Sequence, residues 1–251
     1  MKIMLDAGHG KNTAGKRTPD DSMREFVFNH AVAEYAKTML LNYENIKVEY
    51  AHDSTGNIDV PLYTRTQKAN NWPADIYISI HANASGDSWS TANGIETFHH
   101  PKSSEASKKL AAALQNKLIE KTKLRNRGVK QADFQVVRET KMPAALIECG
   151  FMSNKEEAAL LKSDSYRKLC AEAIVEAIVQ MYSLKKKQVI VPTSTSIVAP
   201  IVNENTPDTW AANAWEWAKN NGLTDGSRPK DEITRQEMIL ILKRFADYYK
   251  L

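Results

Sequence analysis

The chain has 251 residues, of which 42% are hydrophobic and 25% are charged, and its formal net charge is +4. This composition is typical of a globular protein, and so mild a positive charge gives no indication of a nucleic-acid partner. No stretch approaches the roughly 20 apolar residues of a membrane span, and the two cysteines do not form a disulfide framework. The N-terminus has no basic segment followed by a long apolar core, so we expect a protein made in a cytoplasm without a signal peptide.

Strand-like and helix-like patterns alternate through most of the chain. Amphipathic segments that predict helices lie between short apolar or alternating runs that predict strands. The predicted strands cover residues 3–5, 46–50, 76–80, 94–98, 134–137 and 145–149. This alternation predicts a three-layer α/β/α domain over residues 1–184, with a largely parallel central sheet.

The composition changes after three consecutive lysines at residues 185–187. Residues 188–205 are rich in Val, Thr, Ser and Pro and have no helical period, which predicts an extended linker over residues 185–207. The alternative is that one or two final strands of the first domain lie here. Residues 208–251 predict a small all-α module, whose first helix carries Trp210, Trp215 and Trp217 and is capped by Gly222. So small a core does not have room for all three tryptophans, and we expect at least one to face outward.

Three of the predicted strands run into a histidine or a glutamate. His9 follows the first strand in a turn flanked by glycines, His81 follows residues 76–80, and Glu148 lies in the run of residues 145–149. Because function collects at the carboxyl ends of strands in open α/β sheets, we expect these side chains to share one site. Glu25, at the start of the next helix, is the best third ligand, since two histidines and a carboxylate are a common catalytic zinc set.

Glu148 is then surplus to a three-ligand site, and a carboxylate beside the metal can act as a general acid and base. The pattern leaves alternatives open. Glu25 in a first helical turn also complements the helix dipole. The other candidate ligands are His30, His52, His99 and His100. We expect His30 to point elsewhere, whereas His99 and His100 also end a strand.

The same residues carry a resemblance to a known family. In chain order the motifs are Asp6-Ala7-Gly8-His9-Gly10, then Glu25, then Ser79-Ile80-His81-Ala82-Asn83, then Gly94-Ile95-Glu96-Thr97, and then residues 143–154. They resemble the successive motifs of the zinc-dependent N-acetylmuramoyl-L-alanine amidases of the third amidase family. The resemblance covers about residues 1–183 and departs at His52-Asp53-Ser54, where the family often has an arginine before the aspartate.

This resemblance implies that His9, Glu25 and His81 bind Zn²⁺ and that Glu148 is the catalytic acid and base. It implies cleavage of the amide between N-acetylmuramic acid and the L-alanine of the stem peptide in peptidoglycan. Arg65 matches the family's arginine in the helix before the second histidine, and we expect Arg65 and Asn83 to contact substrate. The polar loop at residues 83–93, with Trp89 in it, is a candidate wall of a substrate groove.

The tail has a resemblance of its own, to one S-layer-homology repeat. It rests on Trp210-Ala211, Trp217-Ala218, Gly222-Leu223, Asp225-Gly226 and residues 233–237. Such repeats bind secondary polysaccharides of Gram-positive walls, so the resemblance implies a wall-glycopolymer partner. We expect Trp210 and Arg235 to contact that partner, because aromatic faces suit sugar rings and a guanidinium forks onto an anionic substituent. A single repeat offers only a small binding surface. We therefore expect two chains to pair through this module, because two linked binding sites bind more tightly than one.

An amidase with a wall-binding tail and no signal peptide resembles a bacteriophage endolysin, which would be made in the host cytoplasm and act at the wall after release. One alternative is a bacterial autolysin or sporulation amidase. Another is a non-catalytic wall-binding protein on an amidase scaffold, against which the intact ligand set and Glu148 argue.

Overall fold

The computed structural model describes residues 1–187, 212–222 and 242–243, and the chain divides into the units Met1–Gln188 and Val189–Leu251. The strands of the first unit are β1 Lys2–Ala7, β2 Lys47–Tyr50, β3 Ile76–Asn83, β4 Ile95–His99, β5 Asn126–Gln131 and β6 Ala144–Phe151. Its helices are α1 Glu25–Leu40, α2 Leu62–Asn71, α3 Glu105–Thr122, α4 Gln135–Arg138, α5 Lys155–Lys162 and α6 Asp164–Tyr182.

The six strands form one sheet in the order β2-β1-β3-β6-β4-β5. Neighbouring strands are parallel except for β4 and β6, which pair antiparallel with Glu96 opposite Glu148. On the other side of β6, His81 of β3 is the partner of Glu148. The prediction of a largely parallel sheet is therefore confirmed, and the one reversal brings Glu96 beside Glu148.

Helices cover both faces of this sheet. The alternation of side chains along β1 sends Ile3 and Leu5 to one face and Met4 to the other. Ile3 and Leu5 join a large core with buried residues of α1, α3 and α6, whereas Met4 joins a smaller core with Ala69 of α2 and Val136 of α4. The predicted three-layer α/β/α architecture is confirmed, with the larger core beneath the longer helices.

One prediction of local structure is wrong, and one strand was not predicted. Residues 134–137 are not a strand, because Gln135–Arg138 forms the single-turn helix α4, in which Val136 and Val137 are buried. An apolar run of four residues does not distinguish a strand from a helical turn by its period. The strand β5 was not predicted, since Asn126–Gln131 lies at the sheet edge and is largely polar.

The first unit extends past residue 184, into the predicted linker. Lys186 pairs with Tyr43 in an antiparallel bridge, and hydrogen bonds of 2.9 Å from the Glu44 amide to the Lys185 carbonyl and 2.8 Å from the Lys187 amide to the Asn42 carbonyl flank that bridge. These backbone bonds hold the lysine run against the turn that follows α1.

In the second unit, helix α7 spans Ala212–Asn220, which confirms the predicted helix at that position. Gly222 follows it with a φ of 69°, and Trp217 is 44% exposed, as expected for at least one tryptophan. Trp210 and Arg235 lie outside the described residues. Among the residues that the structure describes, no helix is both long and apolar enough to cross a membrane.

Candidate active site

The site begins at the turn that follows β1. His9 itself adopts a left-handed conformation with a φ of 65°, which is uncommon for a residue other than glycine and is found at functional sites. Gly8 is needed for a different reason, since a Cβ atom built there would lie 2.1 Å from Cε1 of His81. The absence of a side chain at residue 8 therefore lets the His81 ring lie directly against the turn that carries His9.

Glu25 lies between the two histidines. Its Oε1 atom is 2.9 Å from Nδ1 of His81, and its Oε2 atom is 3.3 Å from Nε2 of His9. Glu25 is the first residue of α1, after Arg24 with an extended backbone, so the start of the helix places the carboxylate beside both histidines. We refer to His9, Glu25 and His81 as the donor trio.

The donor trio fits a divalent cation. Each residue offers one ligand atom, and these atoms lie within 4.8 Å of one another; two imidazoles and a carboxylate are a common zinc set. Burial alone would raise the pKa of Glu25, but the hydrogen bond and charge of His81 outweigh it and lower the pKa to about 2. Glu25 is therefore an anion at neutral pH, as a metal ligand must be.

Hydrogen bonds from behind fix the His81 ring. Its Nε2 atom is 3.1 Å from the Ser79 hydroxyl, which donates to Oδ2 of Asp6 at 2.9 Å. Because the Ser79 hydroxyl donates its proton to Asp6, its oxygen accepts from Nε2–H of His81. The Nδ1 atom of His81 therefore faces Glu25 and a bound cation. Fixing the orientation of a ligand ring in this way is the usual role of hydrogen-bond partners behind a metal ligand.

Arg65 holds Asp6 and the turn that carries His9. Its side chain is 1% exposed and donates to Asp6 at 2.6 Å, to the carbonyls of Ala7 and His9 at 2.6 and 2.9 Å, and to the carbonyl of Val60 at 2.7 Å. These bonds hold the backbone of the His9 turn. Arg65 also lines the catalytic cavity, so the substrate contact expected of it stays a prediction.

Glu148 on β6 is the register partner of His81 on the neighbouring strand β3, and its Oε2 atom is buried with no hydrogen-bond partner in the part of the chain that the structure describes. Burial raises the pKa of Glu148 to about 8, with His81 opposing the shift and Glu25 and Glu96 adding to it. A cation at the donor trio would favour the charged form. An unpartnered buried carboxylate beside a ligand set is an expected feature of a general acid and base.

Asn83, the other expected substrate contact, has protein partners on its amide. Its Nδ2 donates to Oε1 of Glu96 at 2.8 Å, and its Oδ1 accepts from the Ala84 amide at 2.8 Å. Glu96 also accepts from Arg127 at 2.6 Å and is paired with Lys130. The sequence predicts no role for Glu96, because its place opposite Glu148 depends on the antiparallel pairing of β4.

A cavity of about 530 Å³ lies over Glu148, His9 and His81. One wall is apolar, and the charged side chains at its border include Lys16 and Asp59. No pattern in the sequence indicates this wall, because its residues come from three separate parts of the chain, at 60–62, 134–136 and 146. The apolar lining consists of Val60, Pro61, Leu62, Phe134, Val136 and Leu146.

The remaining histidines lie away from the donor trio. His30 stacks on Phe26 and its Nδ1 is 3.0 Å from Nε2 of His52, so neither ring faces the trio. Because β4 runs antiparallel to β6, its carboxyl end carries His99 and His100 to the opposite edge of the sheet. Among the described residues, the donor trio is the only group of such side chains placed to share an ion.

A donor trio and a neighbouring carboxylate at one sheet edge are typical of metal-dependent hydrolases. The family model described as N-acetylmuramoyl-L-alanine amidase matches residues 3–180. The endolysin of Bacillus phage SPP1 is 33% identical over 95% of this chain and 89% of its own length. The amidase CwlM of Bacillus licheniformis is 32% identical over 74% of this chain and 70% of its length.

Solved structures agree with this assignment. An N-acetylmuramoyl-L-alanine amidase from Clostridium difficile 630 is 33% identical with a TM-score of 0.68, and the match covers 72% of this chain and 96% of that one. The family match covers more than half of the chain, and the similarity extends to both sequence and fold. The chain therefore belongs to the N-acetylmuramoyl-L-alanine amidase family.

Proposed function

We propose that the chain is a zinc-dependent peptidoglycan hydrolase that cleaves the amide between N-acetylmuramic acid and the L-alanine of the stem peptide. The observation that carries this proposal is the presence of the donor trio and the unpartnered carboxylate oxygen of Glu148 at one cavity. Membership of the amidase family supports the reaction, and the composition of the trio supports zinc.

His9, Glu25 and His81 would hold the ion, which when bound would acidify a water molecule and polarise the amide carbonyl. Glu148 takes the proton from the attacking water and delivers it to the leaving amine of L-alanine, which requires a group that titrates near the working pH. Ser79 keeps the tautomer of His81. The apolar wall orients the muramoyl peptide and excludes water from the reacting bond.

The experiment compares Glu148→Gln with His81→Ala on a soluble muramoyl peptide, with zinc measured by mass spectrometry. We expect Glu148→Gln to retain about one zinc per chain and to lose roughly 10²–10⁴-fold in turnover. His81→Ala should lose the zinc as well as the activity. A wild-type protein without stoichiometric zinc would refute the metal assignment. Loss of zinc in Glu148→Gln would show that Glu148 is a metal ligand and that one of the assigned ligands has the acid and base role.

The biological role that we propose is that of a phage endolysin, made in the host cytoplasm and active at the wall after release. The similarity to the SPP1 endolysin supports it, because that match extends over 95% of the chain, whereas the family model ends at residue 180. Host autolysis remains the alternative, since amidases of Bacillus are also similar. Expression inside a host cell, with and without a phage holin, distinguishes the two: lysis that requires the holin supports the endolysin.

For the tail we propose an S-layer-homology-like module at residues 208–251 that binds a Gram-positive wall glycopolymer through Trp210 and Arg235, with two chains paired through it. Helix α7 with the 44% exposed Trp217 supports a module with an outward aromatic face. A protein that ends at Gln188 should cleave solubilised peptidoglycan but sediment poorly with intact walls. Equal sedimentation of the truncated and full chains would refute anchoring, and light scattering tests the dimer.

A further inference from the structure

A second groove lies beyond the catalytic cavity. The loop between β3 and β4 contributes one side, and the start of α5 contributes the other, with a volume of about 510 Å³. None of the residues that line it belongs to the catalytic cavity. Its lining residues are Trp89, Ser90, Thr91, Asn93, Asn154, Lys155 and Glu156.

The loop that carries this groove is fastened to β6 and α5. The Ser90 amide donates to the Ser153 carbonyl at 2.7 Å, and the Ser85 amide donates to the hydroxyl of the fully buried Ser153 at 2.8 Å. At the far end, the Gly94 amide donates to Oε1 of Glu157 at 2.7 Å. Anchored in this way, the loop presents its side chains with little ordering cost on binding.

Trp89 forms the apolar surface of the groove. The residue is 37% exposed, and Nζ of Lys155 lies 5.8 Å from the centre of its ring, so the indole is braced but accessible. Asn154 caps α5 with its Oδ1 atom, and its amide N–H groups have no acceptor among the described residues. An aromatic surface beside amide and hydroxyl groups suits a neutral sugar, which presents C–H groups on one face and hydroxyls at its edge.

The groove also continues the sheet edge that carries the catalytic residues. Its loop starts at the end of β3, two residues after His81, and Ser153 follows β6, which carries Glu148. The substrate of a muramoyl amidase is a polymer, so the sugars next to the cleaved residue must lie outside the catalytic cavity. The mixed charges of Lys155 and Glu156 favour a neutral ring over an anionic one.

We propose that this groove is a subsite for a neutral N-acetylhexosamine of the glycan strand that flanks the reacting muramoyl residue, with the sugar stacked on Trp89. The inference rests on the muramoyl-amidase activity. It assigns to the groove a role in selecting polymeric substrate over isolated muramoyl peptides.

The kinetic experiment compares two substrates with the same peptide: a single muramoyl peptide and a soluble tetrasaccharide strand. Trp89→Ala should lower kcat/KM on the strand about tenfold, through KM, and leave the single-sugar substrate unchanged. Leu160→Ala is the matched control, since Leu160 lies on α5 with the same 37% exposure. Equal loss on both substrates, or no loss on the strand, would overturn the subsite.

A binding experiment is independent of turnover and of the folding of the alanine variant. In the full-length wild-type protein, the indole N–H resonance of Trp89, assigned with Trp89→Phe, should shift on titration with chitotetraose, a neutral N-acetylglucosamine polymer. An unmoved resonance at saturating sugar would refute the proposal. Failure of the wild type on the single-sugar substrate would instead refute the amidase activity, so the two failures are distinguishable.

Discussion

Gly8→Ala should weaken binding of the proposed zinc without replacing a ligand residue. The added Cβ atom would lie 2.1 Å from Cε1 of His81 and 2.5 Å from both of its ring nitrogens. The ring must retreat to at least 3.4 Å, the distance of an ordinary contact, which is a shift of more than 1 Å. The hydrogen bond from the Gly8 amide to the Ile80 carbonyl, 3.0 Å long, ties the turn to the strand that carries the ring, so the backbone does not relax freely.

The size of this shift decides the outcome. Ligand distances in a zinc site vary by roughly 0.2 Å, so a displacement several times larger takes His81 out of the coordination sphere. A misplacement of about 1 Å at a catalytic site costs on the order of 10²-fold in rate. We therefore expect Gly8→Ala to fold, to bind zinc with less than one ion per chain, and to lose at least about 10²-fold in turnover.

The assay measures zinc content, thermal unfolding and turnover on the same samples. Gly10→Ala is the control from the same turn, because its Cβ would meet the Asp59 backbone at 3.1 Å and require a shift of only a few tenths of an ångström. That variant should keep its zinc. A Gly8→Ala protein with full zinc content and wild-type turnover would show that the His81 ring is not confined as the geometry requires.

Three further predictions concern stability. Burial lowers the pKa of His52 from 6.5 to about 4, and its Nδ1 accepts from the Ala7 amide at 2.9 Å, so the fold requires the neutral ring. Its contribution is complete above pH 6.5 and is lost as the pH falls toward 4, by up to about 3 kcal/mol; urea unfolding of His52→Asn should show a smaller pH slope than the wild type. Arg65→Ala should lower the unfolding free energy by about 3–5 kcal/mol, since it leaves the buried Asp6 charge without its partner; an unchanged urea midpoint with a raised KM would show that Arg65 contacts substrate and does not stabilise the turn. Chelation should lower the melting temperature, and zinc at a thousandfold excess over its Kd should restore about 4 kcal/mol; a melting temperature indifferent to both would argue against a bound ion.

Much of the site follows from local sequence patterns. Apolar runs that end in His9, His81 and Glu148 predict strand ends, and the rule that function collects there places the three side chains together. Glu25 follows from its position at a helix start close behind His9. These residues meet because β1, β3 and β6 are parallel, as the alternation of helices and strands predicts.

The parts that the sequence did not predict depend on pairing between distant segments. No local signal distinguishes a strand inserted antiparallel from one that extends a parallel sheet, and the direction of β4 removes His99 from the site while bringing Glu96 into it. The role of Arg65 depends in the same way on carbonyl groups that only the folded turn presents. The apolar wall of the cavity combines three separate segments, and no single segment carries its pattern.

The pairing of the lysine run with the turn after α1 has a consequence for protein engineering. Because Lys185 and Lys187 form backbone hydrogen bonds on either side of the Lys186 bridge within the first unit, an exchange of the C-terminal segment should join the new partner after Gln188. A fusion made at Leu184 would leave the amide of Glu44 and the carbonyl of Asn42 without their present partners. Fusions joined after Leu184 and after Gln188 differ by only a few residues. The difference between their melting temperatures would measure how much the backbone bonds of the lysine run stabilise the enzyme.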